Sequence, residues 1–135
     1  MSRRLAAWLL LLGLATPLAG RADDEGVTVT PRFAHELANL PGQRLTVAEV
    51  TIAPGATPAP HHHAGSVYVY VLAGTFRLGL AGEQAKIYHA GDSFFEPPGS
   101  THAVSDNPSK TKPARLLAVF VAPDDAQLTA PGPAK

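Results

Sequence analysis

The sequence predicts an all-β protein, one domain of many short strands arranged as a sandwich or barrel. Thirteen prolines and twelve glycines in 135 residues punctuate the chain every few positions and leave little room for long helices. Between them, apolar and polar residues alternate with the period of two that marks half-buried strands, most clearly around Val67-Tyr68-Val69-Tyr70-Val71 and Phe76-Arg77-Leu78. Turn signals follow one another at close intervals, as they do in sandwiches and barrels.

Residues 1–22 stand apart from this pattern. Arg3 and Arg4 precede an apolar run over residues 5–14, and Pro17 opens a stretch of mostly small residues ending at Ala22. That is the layout of a secretory signal peptide, with cleavage expected after Ala22. The apolar run is too short for the ~20 residues that span a bilayer, so no membrane attachment is expected after cleavage. The expected location is periplasmic or secreted. Export permits disulfides, but the chain has no cysteine. Stability must come from the core, from oligomerisation or from metal, and about 113 residues suffice for one modest core.

Residues 23–42 read as a leader with an edge strand. Val27-Thr28-Val29-Thr30 alternates and Pro31 interrupts it, after which residues 33–40 suit a helical turn or an irregular link. Residues 43–122 read as the barrel itself. Its first strand covers residues 45–52, and a change of phase near Ala48 suggests a β-bulge there. Residues 67–72 carry the strongest strand signal, a valine and tyrosine run. Gly74 turns into a strand at 75–80, Gly82-Glu83 into one at 85–89, and Gly91-Asp92 into a short one at 93–96. Pro97-Pro98-Gly99 makes a corner, strands are expected at 101–105 and 114–121, and residues 106–113 form a polar loop. Residues 123–135 read as a frayed C-terminal tail.

Composition narrows the partners. Basic and acidic residues balance at eleven each and no lysine/arginine run occurs, which leaves no electrostatic footprint for nucleic acid. A small-molecule ligand or substrate is the expected partner.

Chemistry concentrates in the histidines. His61, His62 and His63 are consecutive, and on an extended strand the first and third share a face with backbones roughly 6–7 Å apart. Two imidazoles on one wall are a common start for a metal site, though a His-x-His pair alone is more often a solvated polar patch. The surroundings weigh on the metal side. Gly55 precedes His61 by five intervening residues, and Gly74 follows. Further on, Gly91, five residues, Pro97-x-Gly99, two residues and His102 succeed one another.

These two stretches resemble the two sequence motifs of the cupin superfamily, and the string from Leu40-Pro41-Gly42 through Phe94-Phe95-Glu96-Pro97-Pro98-Gly99 resembles its small, often exported single-domain members. The resemblance implies a jelly-roll β-barrel with a metal at one mouth. It implies His61, His63 and His102 as metal ligands, and iron, manganese, nickel, zinc or copper as the divalent ion, since imidazole accepts all of them. The family's motif also places a glutamate ligand seven residues before Gly74, where this chain has Val67. Three neutral ligands would leave the ion its full positive charge and open positions for an anion or hydroxide. The second motif ends on Asp106 where the family often has asparagine, with Asn107 one residue late.

Glu96 is the one further candidate, either as a substitute ligand or as a general base beside the metal, against a structural contact to a backbone amide or a neighbouring subunit. With Val67 facing inward, Tyr68 and Tyr70 face outward as sheet packing or a dimer interface, and a homodimer is expected. His35, His89 and Asp92 have surface or turn roles, and His62 points away from the site. The expected function is metal binding by a three-histidine cupin, and three uses of the metal stay open: a metal-dependent dioxygenase acting on a small molecule, a non-catalytic ligand or metal binder or sensor, and a barrel that its metal merely staples. Fold alone does not choose among them.

Overall fold

A computed structural model of the chain describes residues 26–134. The expected signal peptide lies outside the described residues. Among them ten strands form two five-stranded antiparallel sheets, and no helix is long and apolar enough to cross a membrane. One sheet has the order β1-β2-β9-β4-β7, with β1 at Val27–Glu36, β2 at Gln43–Ile52, β9 at Ala114–Pro123, β4 at Ser66–Ala73 and β7 at Ser93–Glu96. The other has the order β10-β3-β8-β5-β6, with β10 at Thr129–Pro131, β3 at His61–His63, β8 at Thr101–Asp106, β5 at Thr75–Leu80 and β6 at Lys86–His89. The all-β expectation holds, and most strands fall within a residue or two of where alternation places them.

The core joins both sheets. Val67, Val69 and Val71 from β4 meet Phe76 and Leu78 from β5, with Ile52, Ala114, Leu116, Ala118 and Phe120 completing the cluster. Period two decides which side chains enter: the three valines are at most 4% exposed, whereas Tyr68 and Tyr70 between them are 44% and 38% exposed on the outer face. The valine-in, tyrosine-out expectation is therefore correct.

Four sequence expectations need correction, three of them around the first strand and one in the C-terminal tail expected to be frayed. Pro31 does not end the first strand. β1 runs on to Glu36, because it is an edge strand where a missing N–H costs no ladder bond, and the register slips between Pro31 and Phe33. The irregularity expected near Ala48 belongs to this slip: Pro31 pairs with Ala48 and Phe33 with Val47, so Arg32 is the extra residue and β2 itself pairs with β9 without interruption. The segment after Phe33 is strand rather than helical turn, closing at Leu37–Gln43 with hydrogen bonds from Leu37 N to Gln43 O and from Leu40 N to Leu37 O, both 2.9 Å.

The C-terminal tail is also structured. Its strand β10 pairs Thr129 with His63, Ala130 with His62 and Pro131 with His61. Outside the strand, Leu128 O accepts from Ala64 N at 3.1 Å, and Gly132 N donates to Pro60 O at 2.9 Å. The last residues thus lie as a strap along β3.

Two local devices fix the turns near the site. At Gly65, φ is +75° and a Cβ would lie 2.1 Å from Val121 O, so only glycine lets the β3–β4 turn approach β9. Asn107 is 2% exposed. Its Nδ2 donates to Ile52 O at 3.1 Å and Lys112 O at 2.8 Å, and its Oδ1 accepts from Ser109 N at 3.0 Å. It ties the polar loop to the end of β2, while Asp106 before it pairs with Arg77 across β5 and β8. Replacing Asn107 by alanine strands these buried and partly buried backbone groups, so stability should fall by about 2 kcal/mol, read as a lower thermal midpoint. A loss below about 0.5 kcal/mol, the size of an ordinary surface change, would show that the loop is held by other contacts.

Candidate metal centre

β3 is only three residues long, yet it sits between β10 and β8 and is held on both sides. Pro58 and Pro60 lead into it and favour extended backbone. Its pairing with β8 sets His61 directly opposite His102, so the two share a face, and His63 joins them two residues on. The rings meet: centroids are 4.4 Å apart for His61 and His102, 4.9 Å for His63 and His102, and 5.1 Å for His61 and His63. One nitrogen from each of the three lies within 4.8 Å of the others. The structure thus gathers the three histidines that the motifs single out. Phe120 of β9 packs edge-on against His63, its ring centroid 5.4 Å away.

The hydrogen bonds set the tautomers. His61 donates through Nδ1 to Ala59 O at 2.9 Å. His63 donates through Nδ1 to Leu128 O at 3.1 Å, and Thr129 Oγ1 is 3.0 Å from the same nitrogen. With its proton on Nδ1, each ring carries its lone pair on Nε2, the arrangement in which an outer carbonyl orients a metal-ligating histidine. Burial pushes the His63 imidazole down to about 4, against the opposing pull of the Glu96 carboxylate, so it is neutral at neutral pH and need lose no proton to bind a cation. The residues present therefore fit a divalent ion in spacing, and His61 and His63 fit it in protonation as well.

Glu96, at the end of β7, is 2% exposed and faces the same cluster. Its Oε2 accepts from His102 Nε2 at 2.6 Å and lies 4.0 Å from His63 Nε2. Its partner is therefore an imidazole of the histidine cluster rather than a backbone amide. His102 Nδ1 is buried and has no hydrogen-bond partner among the described residues. Val67, at the position of the family's glutamate, is 1% exposed and belongs to the core.

The other histidines take the places expected of them, with one addition. His35 is exposed and stacks on Phe33, and His89 is exposed beside Asp92, whose Oδ2 accepts from His89 N at 2.8 Å in the turn. His62 lies on the other face of β3 and donates through Nδ1 to Gly132 O at 2.8 Å, so it anchors the C-terminal strap. The strap itself, including the two acceptors of His63, was missed by sequence reasoning. Its only local signal is Leu128-Thr129-Ala130 before Pro131-Gly132, too short to show a period.

The family model for the cupin domain matches residues 48–120. Among solved structures, a cupin-like protein from Thermotoga maritima is similar at 18% identity with a TM-score of 0.62, over 80% of this chain and 77% of that one. An oxalate oxidase bound to the substrate analogue glycolate is similar at 23% identity and a TM-score of 0.60, over 81% of this chain and 56% of its own. A DMSP lyase from Ruegeria pomeroyi is similar at 21% identity and a TM-score of 0.57, over 64% of this chain and 42% of its own. This chain thus spans about half the length of the two enzymes, and the likeness to all three is one of fold. Among curated proteins no sequence match is found. The family match covers more than half of the sequence, and the chain belongs to the cupin family.

Proposed function

We propose that this small cupin is an exported metalloprotein that binds one divalent transition metal through His61, His63 and His102 and acts on a small molecule as a metal-dependent dioxygenase. The observation that carries the metal reading is the convergence of three imidazole nitrogens within 4.8 Å, one of them on a ring kept neutral by burial. An ion held there would supply Lewis acidity and, if iron, manganese, nickel or copper, a redox centre for dioxygen. The chain's own contribution is to hold the rings in place: β3–β8 register aligns His61 with His102, and the strap carbonyl orients His63. Similarity in fold to an oxalate oxidase supports oxidative chemistry on a small oxygenated molecule as one use of such a barrel.

A non-catalytic binder is the competing reading. It needs only the three-histidine cluster itself, which could hold an ion whether or not a substrate follows. Oxygen uptake by metal-loaded protein with a panel of thiols, diketones and phenols separates the two, because only the enzyme consumes oxygen with one of them.

Export rests on Arg3, Arg4, the apolar run and Ala22. Mass spectrometry of protein from the native compartment should give a chain beginning near Asp23; cytoplasmic protein that keeps Met1 would contradict export.

For the metal site, alanine at His61, His63 or His102 should each reduce bound metal from about one equivalent to a small fraction, measured by elemental analysis after dialysis. His62→Ala should leave it close to the parent value, since that ring points to Gly132 on the other face of β3. Equal losses from His62→Ala and His63→Ala would mean that the ion does not sit on this face.

A further inference from the structure

We propose that Glu96 is a fourth protein ligand of this centre, so that the carboxylate absent from Val67 is supplied from the neighbouring strand. The proposal rests on the three-histidine reading above and adds a residue to it. The pairing of β4 with β7 sets Val67 opposite Glu96. Cross-strand partners share a face with Cβ atoms about 4.5–5.5 Å apart, within the reach of a glutamate side chain. A carboxylate on β7 at this level therefore points into the space that one on β4 at residue 67 would enter.

The local chemistry favours a cation shared between Glu96 and the rings. His63 has its proton on Nδ1, held by Leu128 O, so its Nε2 presents a lone pair. Glu96 Oε2 lies 4.0 Å from that nitrogen, with both side chains nearly buried, at 12% and 2% exposure. Two electron-rich atoms face each other there at low local dielectric, an arrangement that a positive ion between them stabilises. The same oxygen is 2.6 Å from His102 Nε2. Ligands about 2.1 Å from one ion lie about 3–4 Å apart, so 2.6 and 4.0 Å require only small shifts, together with a tautomer change that moves the His102 proton from Nε2 to Nδ1, to bring Glu96 and both rings onto it. One carboxylate would also neutralise half of the charge that three imidazoles leave on a dication. In the contrary arrangement the ion sits on His102 Nδ1, the buried nitrogen without a partner, and Glu96 only orients the ring through Nε2.

The test uses the mature full-length protein, titrated with zinc for affinity and with cobalt for its visible spectrum and azide binding. Glu96→Gln keeps size and shape but removes the anionic ligand. Zinc affinity should fall by more than about 100-fold, beyond the 10–100-fold that an outer-shell partner contributes. Azide should bind the cobalt centre more tightly, because its net charge has risen by one. Moving the carboxylate, with Val67→Glu together with Glu96→Val, should restore zinc affinity to within about tenfold of the parent, since the two positions face one point. A zinc loss of about 100-fold or less with azide affinity unchanged would overturn the proposal and make Glu96 a positioning residue. His63→Ala is titrated in parallel: if it too retains zinc, the three-histidine reading fails and this proposal fails with it, whereas zinc lost from His63→Ala but kept by Glu96→Gln overturns the proposal alone.

Discussion

The register between β3 and β8 is the constraint on which the site depends. A three-residue strand brings little pairing energy of its own, yet it must hold His61 across from His102 with both rings turned inward. A slip of one residue would put His62 into the interior and turn His61 and His63 away, because side chains alternate faces along a strand. Much of the surrounding structure opposes that slip. The strap binds β3 on its free edge, and His62 is held to Gly132 on the far side. Gly65 lets the turn into β4 press against β9, where a Cβ would collide with Val121 O. Asn107 fixes the loop after β8 to the end of β2.

Apolar packing provides the rigid wall on which these contacts stand. Val67, Val69 and Val71 are buried against Phe76, Leu78 and Leu116, and the cluster runs up to Phe120, which packs edge-on against His63. Burial of His63 has a consequence for chemistry as well as for packing. It disfavours the imidazolium, so the ring is neutral over the whole physiological range, and its Nδ1 proton is engaged by the strap. The neutral His63 imidazole beside the buried Glu96 side chain forms a donor set suited to a cation.

How much of this could be read from the sequence follows from how local each signal is. Strands β4, β5 and β7 were legible because alternation and turn residues are properties of a few neighbouring positions, and the inward valines and outward tyrosines came with them. The three histidines were legible because their spacing from Gly55, Gly74, Gly91 and Gly99 resembles the cupin motifs. The bulge was sensed at the right level of the sheet but on the wrong strand, since a change of phase near Ala48 does not say which partner carries the extra residue. Glu96 could be singled out as a candidate, but not its place opposite Val67, because the pairing of β4 with β7 joins residues 29 apart and leaves no trace in either segment. The strap was illegible for the same reason. Its contacts with β3 join positions 65 to 70 residues apart, and its few residues show no period.

Anomalous X-ray diffraction from crystals of the protein loaded with cobalt tests most directly whether one metal ion binds on the inward face of β3 and β8, as proposed. A single peak about 2.0–2.2 Å from Nε2 of His61, His63 and His102 is the result expected. A peak elsewhere on the molecule, or none at the histidines under conditions that saturate the protein with cobalt, would contradict it.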